Sequence, residues 1–228
     1  MEADAGDVER RVLYFGYCGE ANTDVLLARV RAWCGEAGCR RVVVASETGA
    51  SALRALDALK GSGIGLVVVT HYPAKTTGPR GEIPIGLRRP EYAEALRRLE
   101  DAGVPVVQGT RPLAPPTRSL GWGYPTPPAV VDATLELFGA GTKIAVEAAL
   151  MATDAGALDE GEVVASCAGT YKGLDTALAV RTAYSMNFFR EFEVQEVIAK
   201  PLRRVRALPE HGHENWRGDL DRYYRGLG

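Results

Sequence analysis

One short segment of the sequence combines glycine with hydroxyl side chains in a way that suits an anion. Residues 46–51 follow an apolar run and precede a helical pattern, and Ser46, Thr48 and Ser51 surround Gly49. A helix start offers unpaired backbone N–H groups and a positive dipole end, and glycine allows close approach of the backbone. A plain helix cap needs only one hydroxyl. The segment therefore predicts a phosphate site made by Ser46, Glu47, Thr48, Gly49, Ala50 and Ser51.

A second segment, Gly169–Thr176, also mixes glycines and hydroxyls and lies between two β-prone runs. Lys172 could make a charge-assisted hydrogen bond to phosphate. Asp175 could accept hydrogen bonds from ligand hydroxyls or a ring N–H. An ordinary hairpin loop explains the same residues without a ligand. We therefore regard this segment as a candidate second wall of the phosphate site.

Polar residues also end other predicted strands at the same edge of the sheet. Asn22 and Thr23 follow the first strand, where Asn22 also suits a plain helix cap. Thr70 and His71 end the third strand, and ligands bind at such carboxyl edges. His71 could donate a proton or stack on a ring, or it could be a loop residue without chemistry.

Two acids lie on one face of an otherwise apolar helical stretch. Glu147, Met151 and Asp154 are spaced by four and three residues. Buried acids need partners, so Glu147 is expected to bind an arginine or backbone, and Asp154 to cap a loop. Asp154 is, with His71, a candidate catalytic residue; a purely structural network is the alternative.

The elements that carry these residues alternate between strand and helix. Helical patterns run over Asn22–Ala37, Thr48–Lys60, a stretch opened by Pro90, and Thr142–Ala155. Fully apolar strands alternating with helices predict a parallel sheet covered on both faces. The predicted strands are Val12–Phe15, Val42–Ala45, Leu66–Val69, Val104–Val107, Val163–Cys167, Thr176–Arg181 and Glu193–Ala199.

Two stretches interrupt this pattern as predicted long loops, and a third follows it. Residues 71–89 are rich in Gly and Pro, and residues 110–128 contain six prolines with Trp122 and Tyr124. Such loops are often lids or binding loops. The alternative is that they are surface insertions without a binding role or that they form an oligomer contact. We predict one domain over residues 1–200 and an extension over 201–228 that ends in a short docking helix. That helix would pack on its own body or on a neighbouring subunit, and we expect a homo-oligomer.

Composition narrows the function classes. The chain has 27 basic and 29 acidic residues, which gives no electrostatic case for binding nucleic acid or an anionic membrane. It has no apolar run long enough to span a bilayer and no signal peptide. The four cysteines are predicted to be free thiols in a reducing cytoplasm. His211 and His213 could bind a metal ion. The favoured alternative is that they belong to a solvated tail without a ligand, so we predict no metal site.

In their order, these motifs resemble the stand-alone proteins related to the C-terminal domain of pyruvate kinase. That resemblance implies a three-layer α/β/α sandwich with a mostly parallel mixed sheet and an antiparallel edge. It also implies a pocket associated with FMN, or with a sugar phosphate in the regulatory parent domain. The matching stretches are Tyr14–Leu27, Val42–Leu56, Val67–Tyr72, Phe138–Gly156 and Glu162–Phe189.

The resemblance implies that the segment Ser46–Ser51 binds the phosphate and that Gly169–Thr176 forms the opposing wall of the site. Residues 71–89, 110–128 and 201–228 depart from the relatives. The expected function is FMN binding, with a flavin-dependent oxidation or reduction of a small molecule. A non-catalytic sensing module is the alternative. The residues expected near the ribityl chain or ring are Asn22, Thr23, Thr70 and Asn187.

Overall fold

The computed structural model describes residues 6–78, 81–114 and 126–204. The strands in these ranges are β1 Leu13–Phe15, β2 Arg41–Ala45, β3 Gly65–His71, β4 Ala74–Gly78, β5 Gly81–Ile85, β6 Val106–Gly109, β7 Val163–Ala168, β8 Thr176–Arg181 and β9 Glu193–Pro201. The α-helices are α1 Thr23–Ala37, α2 Ala50–Leu59, α3 Ala93–Asp101, α4 Pro127–Glu136, α5 Ala140–Asp154 and α6 Phe188–Glu191.

Seven of these strands form one central sheet in the order β1-β9-β8-β7-β2-β3-β6. All neighbouring pairs are parallel except the two that involve β8, which runs antiparallel to β7 and to β9. The predicted β7–β8 hairpin is therefore confirmed. The antiparallel strand lies inside the sheet rather than at its edge, because β9 reverses direction again and β1 pairs outside it.

Helices cover both faces of this sheet, which confirms the three-layer α/β/α fold. Along β2, Val42 and Val44 belong to the cluster packed by α1, α2 and α3, whereas Val43 belongs to the cluster packed by α5. Strand residues point alternately to the two faces, and both faces of this strand are apolar. The continuous apolar strands of the sequence are thus explained by burial on two sides.

The stretch 71–89 is not the long loop that its Gly and Pro content suggested. Strands β4 and β5 form a separate antiparallel hairpin, with Gly78 opposite Gly81 at its turn. Pro84 fits in β5 because each strand of a two-stranded sheet has an unpaired edge. The glycines and proline that resemble a loop therefore mark a turn and a free strand edge.

Several predictions fall on residues outside the described ranges. They concern Trp122, Tyr124, the two histidines of the tail and the docking helix beyond residue 204. Within the described ranges, the four cysteines are buried and none is joined in a disulfide bond, as expected. No helix in those ranges has both the length and the apolar character needed to cross a membrane. No group of His, Cys, Asp or Glu there is arranged to hold a metal ion.

Candidate functional site

A cavity of about 720 Å³ opens at the carboxyl edge of β2, β3, β6 and β7. This is the edge at which α/β proteins bind ligands, and the volume lies within the roughly 300–1,000 Å³ of small-molecule sites. The predicted site residues that line it are Ser46, Glu47, Thr48, Ala50, Ser51, Thr70, His71, Gly169, Thr170, Lys172 and Gly173. The two glycine-containing segments meet here because β2 and β7 are adjacent, with Val44 opposite Cys167.

The first wall is the turn between β2 and α2. The Ser46 N–H donates to the Val69 carbonyl at 2.9 Å, and the Ser46 hydroxyl accepts from the Ala52 N–H at 3.3 Å. Ser46 thus caps α2 itself. Within the described ranges, the hydroxyls of Thr48 and Ser51 make no hydrogen bond to protein. These two hydroxyls are therefore available to a ligand in the cavity.

Gly49 has a packing role that the sequence did not reveal. Its φ is +86°, and a Cβ there would lie 2.6 Å from the Ala95 Cβ and 2.9 Å from the Leu87 Cδ1. Gly49 is not among the residues that line the cavity. The glycine is required by close contact with α3 and the segment after the hairpin, so substitutions there test folding rather than binding.

The second wall is the β7–β8 loop, which is held from behind by Asp175. The Asp175 carboxylate accepts from the Gly19 N–H at 2.8 Å, the Thr170 hydroxyl at 2.7 Å and the Thr176 hydroxyl at 2.9 Å. Asp175 is fully buried, and that burial raises the pKa of its carboxyl despite the bonds. Asp175 and Thr176 lie outside the cavity lining. They shape the loop, and the acceptor atoms expected for a ligand are occupied by protein.

Asn22 and Thr23 also act behind this loop. The Thr23 hydroxyl accepts from the Leu174 N–H at 2.9 Å, and the Asn22 amide donates to the Tyr17 carbonyl at 2.7 Å. Neither residue is in the cavity lining, whereas Glu20 from the same turn is. The β1–α1 turn therefore supports the second wall more than it contacts a ligand.

The floor between the walls carries a partly buried acid beside the end of β3. The Glu47 carboxylate accepts from the Thr70 hydroxyl at 3.2 Å and from the His71 N–H at 3.1 Å. Burial raises the pKa of Glu47, and these hydrogen bonds offset only part of the effect. The His71 ring lies 3.9 Å from the Tyr72 ring, measured between centroids. Perturbed acids in a cleft are typical of functional sites.

The hairpin β4–β5 forms a third wall, in a stretch that was expected to be a lid or binding loop but not a pair of strands. Lys75, Ile83 and Ile85 line the cavity from it. The hairpin is fixed at the end away from its turn, where the Tyr92 hydroxyl donates to the Pro84 carbonyl at 2.6 Å. The Gly86 N–H also donates to the Glu47 carbonyl at 3.2 Å. The alternating Ile residues of β5 were the available signal for a strand.

Arg111 was also missed as a site residue, although its partner was anticipated. It lines the cavity and donates from Nε to the Glu147 carboxylate at 2.6 Å. The Leu113 N–H donates to the same carboxylate at 3.0 Å. The expectation that Glu147 binds an arginine or backbone is confirmed. Burial raises the pKa of Glu147, and Arg111 counteracts this effect.

Two predicted residues lie away from the cavity. Asp154, at the end of α5, accepts from the Ser185 N–H at 2.8 Å, which confirms the expected loop cap. The Asn187 amide donates to Glu160 at 2.8 Å. Neither residue lines the cavity, so the structure does not bring them together with His71 or the two walls.

No known protein-family model matches this chain. The resemblance to the pyruvate kinase C-terminal domain accordingly stays a prediction that rests on the sequence motifs.

Proposed function

We propose that this protein binds FMN in the cavity between β2, β7 and the hairpin. The observation that carries the proposal is that residues of Ser46–Ser51, the predicted phosphate segment, and of Gly169–Gly173, the candidate second wall, line one cavity over adjacent strands. The identity of the phosphorylated ligand as FMN comes from the sequence resemblance.

The phosphate would bind at the start of α2. The free hydroxyls of Thr48 and Ser51 lie beside the first turn of this helix, whose N–H groups and dipole favour an anion. Lys172 lines the cavity from the opposite wall and has no ion pair within the described ranges. Hydroxyls, helix N–H groups and one unpaired ammonium together suit a doubly charged phosphate.

The ring would bind on the apolar side of the cavity. Ile83 and Ile85 line it from the hairpin, and Ile144 and Met151 line it from α5. Sites for flat cofactors combine such apolar surfaces with a few polar groups that fix the orientation. The cavity thus offers both polar groups and apolar surface, as an amphipathic phosphorylated cofactor requires.

We further propose that the protein is a flavin-dependent oxidoreductase for a small molecule. A bound flavin would supply the electron chemistry, while the protein supplies orientation and proton transfer. Glu47 and His71 are titratable groups in the cavity lining, and burial raises the pKa of Glu47, which is the direction that favours a proton donor. His71, whose ring lies against that of Tyr72, is the second candidate for proton transfer.

The direct test is to purify the protein, record its visible spectrum and identify any ligand released on denaturation. We expect a flavin spectrum, or its appearance on reconstitution with FMN. A colourless protein that FMN cannot reconstitute would contradict the proposal. Anaerobic titration with NADH or NADPH then tests catalysis, because a bound ring that neither donor reduces would favour a sensing module.

A further inference from the structure

The end of the cavity opposite the phosphate segments is formed by an arginine held in a fixed orientation. Arg111 follows β6, and its Nε and Nη2 donate to Glu147 and Asp132 at 2.6 and 2.7 Å. These acids lie on α5 and α4, so the guanidinium is fixed by two separate helices. Its side chain is 18% exposed, and the residue lines the cavity. The plane of the guanidinium is therefore set before any ligand binds.

Part of this guanidinium remains available for a ligand. Arginine has five N–H donors, and the bonds to Glu147 and Asp132 engage its Nε and Nη2 atoms. Within the described ranges, Nη1 donates to no protein atom. A guanidinium donor without a protein partner, on a partly exposed side chain that lines the cavity, suits an acceptor atom of a ligand.

The charge around Arg111 determines whether the ligand atom that accepts its hydrogen bond is charged or neutral. Arg111 and Lys143 are surrounded by the carboxylates of Asp132, Glu136 and Glu147, so two cations face three anions. A second phosphate or a carboxylate would meet net negative charge here. A neutral acceptor such as a carbonyl oxygen gains the hydrogen bonds without that repulsion. Ile144 and Met151, which also line the cavity, offer apolar surface to the group that carries it.

The sheet sets the distance between this end and the phosphate segment. Ser46–Ser51 follows β2 and Arg111 follows β6, with β3 between them. Two strand spacings of roughly 4.8 Å separate the two ends by about 10 Å. From this arrangement we infer that Arg111 binds a carbonyl oxygen of a flat heterocycle whose phosphate lies at Ser46–Ser51. Arg111 is then a specificity-determining residue, and this inference rests on the proposed function.

The test compares FMN with riboflavin, which carries the same ring without phosphate. Arg111→Lys keeps a cation beside Glu147 but loses the planar fork of donors. We expect this substitution to weaken the binding of both FMN and riboflavin by about tenfold, which is the effect of one good hydrogen bond. Lys143→Gln, a control in the same ion network but outside the cavity lining, should change either affinity by less than about threefold.

The outcomes separate this inference from the proposed function. Unchanged affinities in Arg111→Lys, or a loss for FMN alone, would overturn the role of Arg111 and leave flavin binding intact. A wild-type protein that binds neither flavin would overturn both.

A ligand-side measurement covers the case in which Arg111→Lys does not fold. FMN analogues with sulfur in place of one ring carbonyl oxygen accept hydrogen bonds weakly and leave the protein unaltered. One of the 2-thio and 4-thio analogues should bind several-fold more weakly than FMN to the wild type. Equal affinity for FMN and both analogues would refute the inference.

Discussion

The segments Ser46–Ser51 and Gly169–Thr176 have similar compositions and both contribute residues to the same cavity, but their hydrogen bonds differ. In the second, the Asp175 carboxylate accepts from the Gly19 N–H and from the Thr170 and Thr176 hydroxyls, so this acid and these two hydroxyls are satisfied by protein. In the first, Thr48 and Ser51 have no protein partner within the described ranges. Two segments that both combine glycine with hydroxyl side chains therefore have different structural roles. The hydroxyls of the first segment can bind a ligand, whereas those of the second shape the wall from which Lys172 faces the ligand.

The glycines of the second segment should give the largest effect on stability. Gly173 has φ +70°, and a Cβ there would lie 2.4 Å from the Glu20 Cα. We expect Gly173→Ala to lower the free energy of unfolding by about 3 kcal/mol or more, from strain plus overpacking. Gly38→Ala is the matched control, since Gly38 has φ +71° and open space around it. It should cost only about 1–2 kcal/mol. Equal losses in urea unfolding would show that the Glu20 contact is unimportant.

Asp175→Asn should come next, because it replaces a carboxylate that accepts several hydrogen bonds. We expect a loss of about 2 kcal/mol from unsatisfied buried donors. Burial raises the pKa of Asp175, so near and above its ordinary pKa the folded state binds more protons than the unfolded state. The stability of the wild type relative to Asp175→Asn should then fall as pH rises from about 4 through the folded-state pKa. A difference that does not change with pH in denaturant titrations would contradict the raised pKa.

Removing a hydroxyl from each segment should separate binding from stability. Thr48→Val is expected to weaken FMN binding by about tenfold, with the free energy of unfolding changed by less than about 0.5 kcal/mol. Thr170→Val removes the 2.7 Å bond to Asp175 and should instead lower stability by about 1 kcal/mol. Calorimetric titration and thermal unfolding of both variants measure this. The reverse pattern would exchange the roles of the two segments.

Lys172→Met should give the smallest effect, since Lys172 lines the cavity without an ion pair in the described ranges. FMN affinity should fall by about threefold to tenfold, and the difference from wild type should shrink as salt is added. Lys75→Met is the control, because Lys75 lines the cavity but is paired with Glu82 at 2.7 Å. A salt-independent loss, or an equal loss in the control, would argue against a charge contact with phosphate.

The sequence predicted the parts of this molecule that depend on local patterns. The apolar runs of β2 and β3, the helix that follows Ser46–Ser51 and the β7–β8 hairpin lie close to where they were expected. Their periodicity is imposed by burial, which is visible in a few neighbouring residues. The shared carboxyl edge followed from the parallel arrangement.

The remainder depended on contacts between residues far apart in sequence. The partners of Asp175 include Gly19, and Arg111 meets Glu147 across 36 positions. Gly49 faces Ala95, a contact that no local pattern signals. The hairpin was hidden because its turn glycines and Pro84 resemble a loop when its strand pairing is unknown. Such features require the fold before they can be recognised.

The central claim is that the start of α2 binds the phosphate of a flavin nucleotide. Backbone amide chemical shifts of the labelled protein, recorded with saturating FMN and with saturating riboflavin, test it directly. We expect the largest differences between the two spectra at the N–H groups of residues 48–52, with smaller ones at 169–173. Differences concentrated elsewhere, or no difference at residues 48–52, would contradict it.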